Sequence, residues 1–188
     1  MKRLTQRIAR GRTVRLSPEL KEYIRKIDRY RAGRDPIKLM RGHPARIARA
    51  VEGLRSAQLR KLPAPGKWSI QEIIGHLMDT EVVYAYRWHM AFGQSGMPIQ
   101  GYDQEVWIRE ENYRHPKWRV SDMLEHMANL RRATLYYFER LPRGVEQKRY
   151  GMHSERGKET MRRTQELIAG HDVNHLEQIR SIRKKFGW

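Results

Sequence analysis

The stretch GHDVNHLEQIR, residues 170–180, sets His171 and His175 four residues apart in a segment with helical periodicity. At about 100° per residue, Thr164, Ile168, His171, His175, Ile179 and Ile182 fall in one stripe, so both imidazoles lie on the face a helical protein buries. A buried histidine needs partners for both ring nitrogens, and two protonated neighbours would repel. One divalent ion meets both demands, because side chains at i and i+4 reach the same ion at about 2.0–2.1 Å. His76 is the candidate third ligand, on a stripe with Ile73, Thr80 and Val83. Three neutral imidazoles leave such an ion its full charge and at least one open position. There it brings a bound water to a pKa of about 7 or holds a thiolate beside an electrophile. The chain has no cysteine, no G-x-S-x-G elbow and no P-loop to supply a competing chemistry.

Around this trio the residues carry lesser roles. Asp79 lies about 300° round the helix from His76, close to its face, and is the candidate proton acceptor or ligand-orienting carboxylate. Glu81 and Glu177 are less well phased and read as ion-pair residues that could support the site from behind. Gln178 could hydrogen-bond near it. Gly75 precedes His76 as Gly170 precedes His171; each weakens its helix by about 1 kcal/mol relative to alanine, and the pair reads as permitting close backbone approach at the metal level. His43, His115 and His153 fall in expected loops, His89 and His126 point elsewhere, and all five read as solvated or capping histidines. Tyr102, Asp103 and Trp107 lie where a pocket at the bundle end would find its lid, and read as an aromatic plug ahead of substrate contacts. Spacing and face alone leave two readings open: a metal site, or three core histidines each satisfied separately.

The elements that must position these side chains are helices. SPELKEYIRKIDRYRAG has Ser17 as N-cap, Pro18 in the first turn and Gly33 at the end. A second helix is expected from about Pro44, with Ile47, Val51 and Leu54 inward, stopping at PAPG, residues 63–66. WSIQEIIGHLMDTE carries the strongest start: Ser69 and Glu72 have capping-box spacing, and Trp68 could staple over Ile73, with the helix running to about Phe92. A 27-residue connector, Gly93 to Arg119, is far longer than a usual helix connection. A third core helix is expected from about Asp122 to Leu141, with Leu124, Ala128, Leu135 and Phe138 inward, and a last one from about Lys158 to Lys184. No segment shows sustained strand alternation. The fold class is therefore all-α: a four-helix bundle, up-down-down-up, with a long crossover between helices 2 and 3 and an extra N-terminal helix.

Length and charge bound the rest. One domain with a real core suits 188 residues, divided as 1–39, a basic tail with an accessory helix, and 40–188, the bundle. No apolar run is long enough to span a membrane or serve as a signal, and cysteine is absent, which fits a cytoplasmic protein. Residues 1–60 hold 18 Lys/Arg against 5 Asp/Glu, a net +13 of the total +18. Residues 1–16, with six basic and no acidic side chains, read as a frayed basic tail. Such a block suits nucleic acid, anionic lipid or an acidic partner. Nucleic acid is not favoured, because the aromatics mostly sit at core spacing and no reading motif is present.

KWSIQEIIGHLMDTE, followed after a long connector by HDVNHLEQI, resembles the DinB-like (DinB/YfiT) family of metal-binding four-helix bundles. The likeness covers residues 40–186 and includes GYDQEVW and LRRATLYYFERL. It implies a divalent metal, zinc or nickel, held by His76, His171 and His175. It further implies a small-molecule substrate, with small thiols among the candidates because the family includes thiol-dependent transferases, and it admits a homodimer. HDVNHLE is also similar to the H-x-x-x-H-x-E motif in the iron-binding helical domain of ergothioneine-type sulfoxide synthases, which keeps iron open. Those enzymes carry a second catalytic domain for which this chain has no room.

Overall fold

A computed structural model describes residues 16–188; the basic stretch 1–15 lies outside the described residues. The first helix, α1 (Pro18–Arg31), is capped by Ser17, whose hydroxyl accepts from the Leu20 N–H. Next, α2 (Pro36–Val51) is capped by Asp35, which accepts from the Lys38 N–H at 2.8 Å. It begins eight residues before the expected start, so Pro44 lies inside it. The Asp-Pro pair at 35–36 is as good a start signal as the proline eight residues on. A short α3 (Ser56–Arg60) leads into α4 (Ile70–Gly93), where Ser69 and Glu72 form the expected capping box.

The connector is structured. It holds β1 (Met97–Ile99) and α5 (Gln104–Glu111), the latter capped by the Asp103 carboxylate. Then come α6 (Val120–Glu139), α7 (Val145–Lys148), β2 (Tyr150–His153), β3 (Gly157–Thr160) and α8 (Met161–Phe186). The three strands form one small sheet, β1 parallel to β2 and β2 antiparallel to β3. Three- and four-residue strands are too short to show an alternation, which is why sequence periodicity missed them.

Named contacts fix the direction of each bundle helix. Gln71 at the start of α4 donates to the Tyr113 and Trp118 carbonyls just before α6, and Trp88 near its end packs edge-on against Phe138 near the end of α6. Thus α4 and α6 are parallel. Arg183 donates to the Ala50 carbonyl, end to end, so α2 and α8 are parallel too. Trp88 donates to Thr164 at the start of α8, and Arg41 at the start of α2 pairs with Glu139 at the end of α6. Those pairs are antiparallel, and the bundle is up-down-down-up.

Its core has two apolar clusters. One contains Ile47, Ile70, Ile73, Met123, Met127 and Ile179; the other contains Met40, Trp88, Leu135, Met161 and Ile168. Between them lies a buried polar layer in which all four helices meet. Arg131 on α6 forks to Glu81 on α4 and to Asp172 on α8 (2.7 Å), and donates to the Met40 carbonyl on α2 (3.0 Å). The buried face of α6 is Met123, Met127, Arg131, Thr134 and Leu135, one residue away from the expected face, with Leu124 and Ala128 only half-buried. The buried Arg131, paired inside the bundle, sets the inward face of this helix. His43, expected in a loop, is wholly buried on α2, 3.6 Å from Asp172. Burial drives its pKa down to about 4 against the raising effect of Asp172, so it is neutral.

Candidate metal centre

Helices α4 and α8 cross at the edge of this polar layer and bring His76, His171 and His175 together. All three are buried. Nε2 of His171 lies 3.0 Å from Nε2 of His76 and 3.1 Å from Nε2 of His175. Two nitrogens at about 2.0–2.1 Å from one ion stand about 2.9–3.3 Å apart for angles between octahedral and tetrahedral, so these spacings fit a single ion. Hydrogen bonding alone fits them poorly. One His171 nitrogen faces two others, while its own Nδ1 has no partner among the described residues.

The rings are held neutral and oriented. Burial, then the neighbouring histidines, pushes His76 and His171 well below the usual imidazole range; burial takes His175 down to about 4, against the raising effects of Gln178 and Asp172. Nδ1 of His175 lies 2.9 Å from Oε1 of Gln178, an acceptor, which puts the proton on Nδ1 and leaves Nε2 bare toward the other two rings. Trp68 forms the outer wall: its ring lies 5.0 Å from that of His76, stacks on His175, and is pinned by a 3.0 Å hydrogen bond from Nε1 to Glu105 on α5. The expected staple residue thus also shields the trio. Its position before the cap, two turns ahead of His76, was the available signal.

The two glycines are required by close approaches at this level. A Cβ on Gly170 would stand 2.2 Å from the backbone oxygen of Ile27, so the glycine lets α1 lie directly on α8. A Cβ on Gly75 would stand 2.3 Å from the Tyr113 ring. The approach is to α1 and to Tyr113, each beside the metal level, and not between the two histidine-bearing helices. Tyr113 in turn donates to Asp79 at 2.6 Å. Burial pushes the Asp79 carboxyl up to about 6 despite that hydrogen bond. Asp79 therefore faces Tyr113, and is not among the residues lining the cavity described next.

A cavity of about 300 Å³ opens over His76 and His171. Its roof is the apolar face of α1, with Tyr23, Ile24 and Ile27; its floor is the α4 stripe His76, Thr80, Tyr84 and Arg87. The chain belongs to the DinB superfamily. The sequence profile of that superfamily matches residues 39–179. A Bacillus mycoides protein named "Putative metal-dependent hydrolase" is 26% identical over 145 residues, 77% of this chain and 82% of its own length. Bacillus subtilis YfiT, which bears the same description, is 23% identical over 160 residues, 81% of this chain and 84% of its own. The solved structure of YfiT, described as a probable metal-dependent hydrolase with an unusual four-helix bundle topology, superposes with a TM-score of 0.74. It covers 95% of this chain and 94% of its own at 19% identity, a likeness of fold.

Within this DinB-superfamily bundle, Tyr102 lines the cavity and packs on Trp107, while Asp103 serves as a helix cap. Glu81 is the buried partner of Arg131, and Glu177 pairs with Arg180 on the surface. His115 is an exposed turn histidine that accepts from the Lys117 N–H, and His89 and His126 are exposed. His153, expected to be a solvated or capping loop histidine, is buried on β2 against the cavity, where its Nδ1 accepts from the Glu155 N–H. No described helix is long and apolar enough to cross a membrane.

Proposed function

We propose that this protein is a metal-dependent hydrolase acting on a small molecule that enters the cavity beneath α1. The observation that carries this reading is the convergence of three buried, neutral Nε2 atoms, those of His76 and His175 lying 3.0 and 3.1 Å from that of His171, with His76 and His171 lining that cavity. The names of the Bacillus relatives support it. A zinc or nickel ion, with iron also compatible, would supply Lewis acidity and an activated water there. His76, His171 and His175 would hold it, Gln178 would fix the His175 tautomer, and Trp68 would keep bulk water from its outer side. Asp79, one turn from His76 and with its carboxyl pushed up to about 6 by burial, is the proposed proton acceptor. Transfer to a small thiol uses the same ion and is separated from hydrolysis by whether turnover requires an added thiol.

Elemental analysis of untagged protein tests the site. About one equivalent of a divalent metal is expected, falling to background in His171→Ala. Stoichiometric metal in that variant, or none in the parent, overturns the assignment.

A second reading rests on a different observation. Arg46, Arg49, Arg180, Arg183 and Lys184 surround one surface depression where α2 and α8 end together. This patch suits an anionic partner such as nucleic acid, whose affinity would fall steeply with salt. Binding of a short duplex that is absent at low salt, or unchanged between low and moderate salt, removes it.

A further inference from the structure

Arg87 sits on the same stripe of α4 as His76, eleven residues or about 16 Å further along the helix. It is 6% exposed, yet it makes no ion pair among the described residues. The other deeply buried arginine, Arg131, is matched by two carboxylates, and Arg156, which lines the cavity with Arg87, by the Glu159 carboxylate at 2.5 Å. Among the described residues Arg87 hydrogen-bonds only to the Gln100 carbonyl, which accepts from one Nη2–H at 2.7 Å. Its guanidinium lies over the Tyr84 ring, 4.9 Å from the centroid, with Tyr102 on another side. Both aromatics line the cavity with it. A guanidinium has five donors, and a desolvated one without a counter-charge is costly unless an anion arrives.

The neighbouring donor points to the same ligand. Nδ1 of His153 accepts from the Glu155 N–H at 3.1 Å, which puts the ring proton on Nε2. That Nε2–H has no acceptor among the described residues, and His153 lines the same cavity. Burial and the two nearby arginines hold His153 neutral, with a pKa of about 3, so it acts as a donor without adding a second charge. Glu155 also borders the cavity, but it is exposed and forms no ion pair with Arg87.

We infer that Arg87, with the Nε2–H of His153 beside it, binds an oxyanionic group of the substrate, carboxylate-like in charge and shape, at the end of the cavity away from the three histidines. This rests on the cavity being the substrate site proposed above. The substrate is then an anionic small molecule held at one end by the guanidinium, with its reacting group at the other end by the histidines. Arg87 is the specificity-determining residue of that arrangement, selecting charge through hydrogen bonds that a neutral analogue leaves unmade.

Calorimetric titration of the full-length protein with benzoate and with benzamide, at about 0.15 M salt to screen the basic surface, tests this. Benzoate is expected to bind one-to-one and at least about tenfold more tightly than benzamide. Arg87→Met should reduce that preference to about one, and Arg87→Lys should keep part of it. Stripping metal with EDTA should leave the preference unchanged. Equal binding of the two probes by the parent protein, or a preference that survives Arg87→Met, overturns the inference. A preference that vanishes on chelation also overturns it, since the metal would then hold the anion, while leaving the metal reading intact. A protein purified without metal that still prefers benzoate gives the converse result. Should Arg87→Met fail to fold, the probe comparison on the parent and on Arg87→Lys decides.

Discussion

Arg131 Nη1 donates to the Met40 carbonyl at 3.0 Å, and that oxygen is the one Pro44 leaves without a helical partner. In an unbroken helix the N–H of residue 44 would bond it. An arginine from a neighbouring helix replaces the bond, and the same side chain neutralises Glu81 and Asp172. Removing it orphans a carbonyl and two buried carboxylates together. Arg131→Met should therefore cost about 3–5 kcal/mol in denaturant unfolding. In a Pro44→Ala background, where residue 44 regains its N–H, the cost should be smaller by about 1 kcal/mol. A double-mutant cycle with no coupling between the two positions would show that the carbonyl contact contributes nothing.

The hydrogen bond between His175 and Gln178 should govern metal affinity more than stability. Losing it frees the His175 tautomer and ring orientation, effects that commonly weaken metal binding by about 10–100-fold. Gln178→Ala, measured by competition with a chromogenic chelator, should fall in that range, with metal-free melting unchanged within a degree or two. Unchanged affinity would mean that Trp68 stacking alone orients the ring.

How much of this was legible in the sequence follows from what signals each contact. His171 and His175 announced themselves because an i, i+4 pair on an apolar stripe has few inexpensive explanations. The capping box at Ser69 and Glu72 fixed the phase of the helix that delivers His76. Arg87 and Arg131 were illegible for one shared reason: a charged residue reads as solvent-facing unless its partners are known. Those of Arg131 lie 41, 50 and 91 residues away. Where no carboxylate partner is found among the described residues, as for Arg87, only burial reveals the demand for a ligand. His43 and His153 were misplaced because the Asp35 cap and the short strands β2 and β3 carry weak or overlooked local signals.

Gly170 should behave as a packing constraint that helix propensity opposes. Alanine there gains about 1 kcal/mol in intrinsic helix preference. Its Cβ, however, would meet backbone atoms of Ile27, which have no rotamer with which to yield. Overpacking of this kind costs about 1–3 kcal/mol, so Gly170→Ala should be destabilising on balance. The strain should appear as displacement of α1, the cavity roof, and so as faster amide exchange in residues 18–31 than elsewhere. A variant more stable than the parent would show that α1 does not rest on α8 in solution.

Asp79 separates stability from activity through its pKa. The folded value of about 6 lies above the ordinary 3.8, so between these values the folded state holds a proton that the unfolded chain has released. Stability from this group is therefore full below about pH 3.8 and is lost as pH rises through 6. A shift of that size corresponds to about 2–3 kcal/mol. Asp79→Asn keeps an acceptor for the Tyr113 hydroxyl and carries no charge. In metal-stripped protein it should be more stable than the parent by roughly that amount at pH 8, and nearly equal to it at pH 4. If Asp79 accepts a proton during turnover, the same substitution should reduce kcat about 10²-fold or more with metal content unchanged. Tyr113→Phe, which leaves the carboxylate in place, should reduce it far less. Equal losses in the two variants would assign Asp79 the narrower role of holding Tyr113 against Gly75.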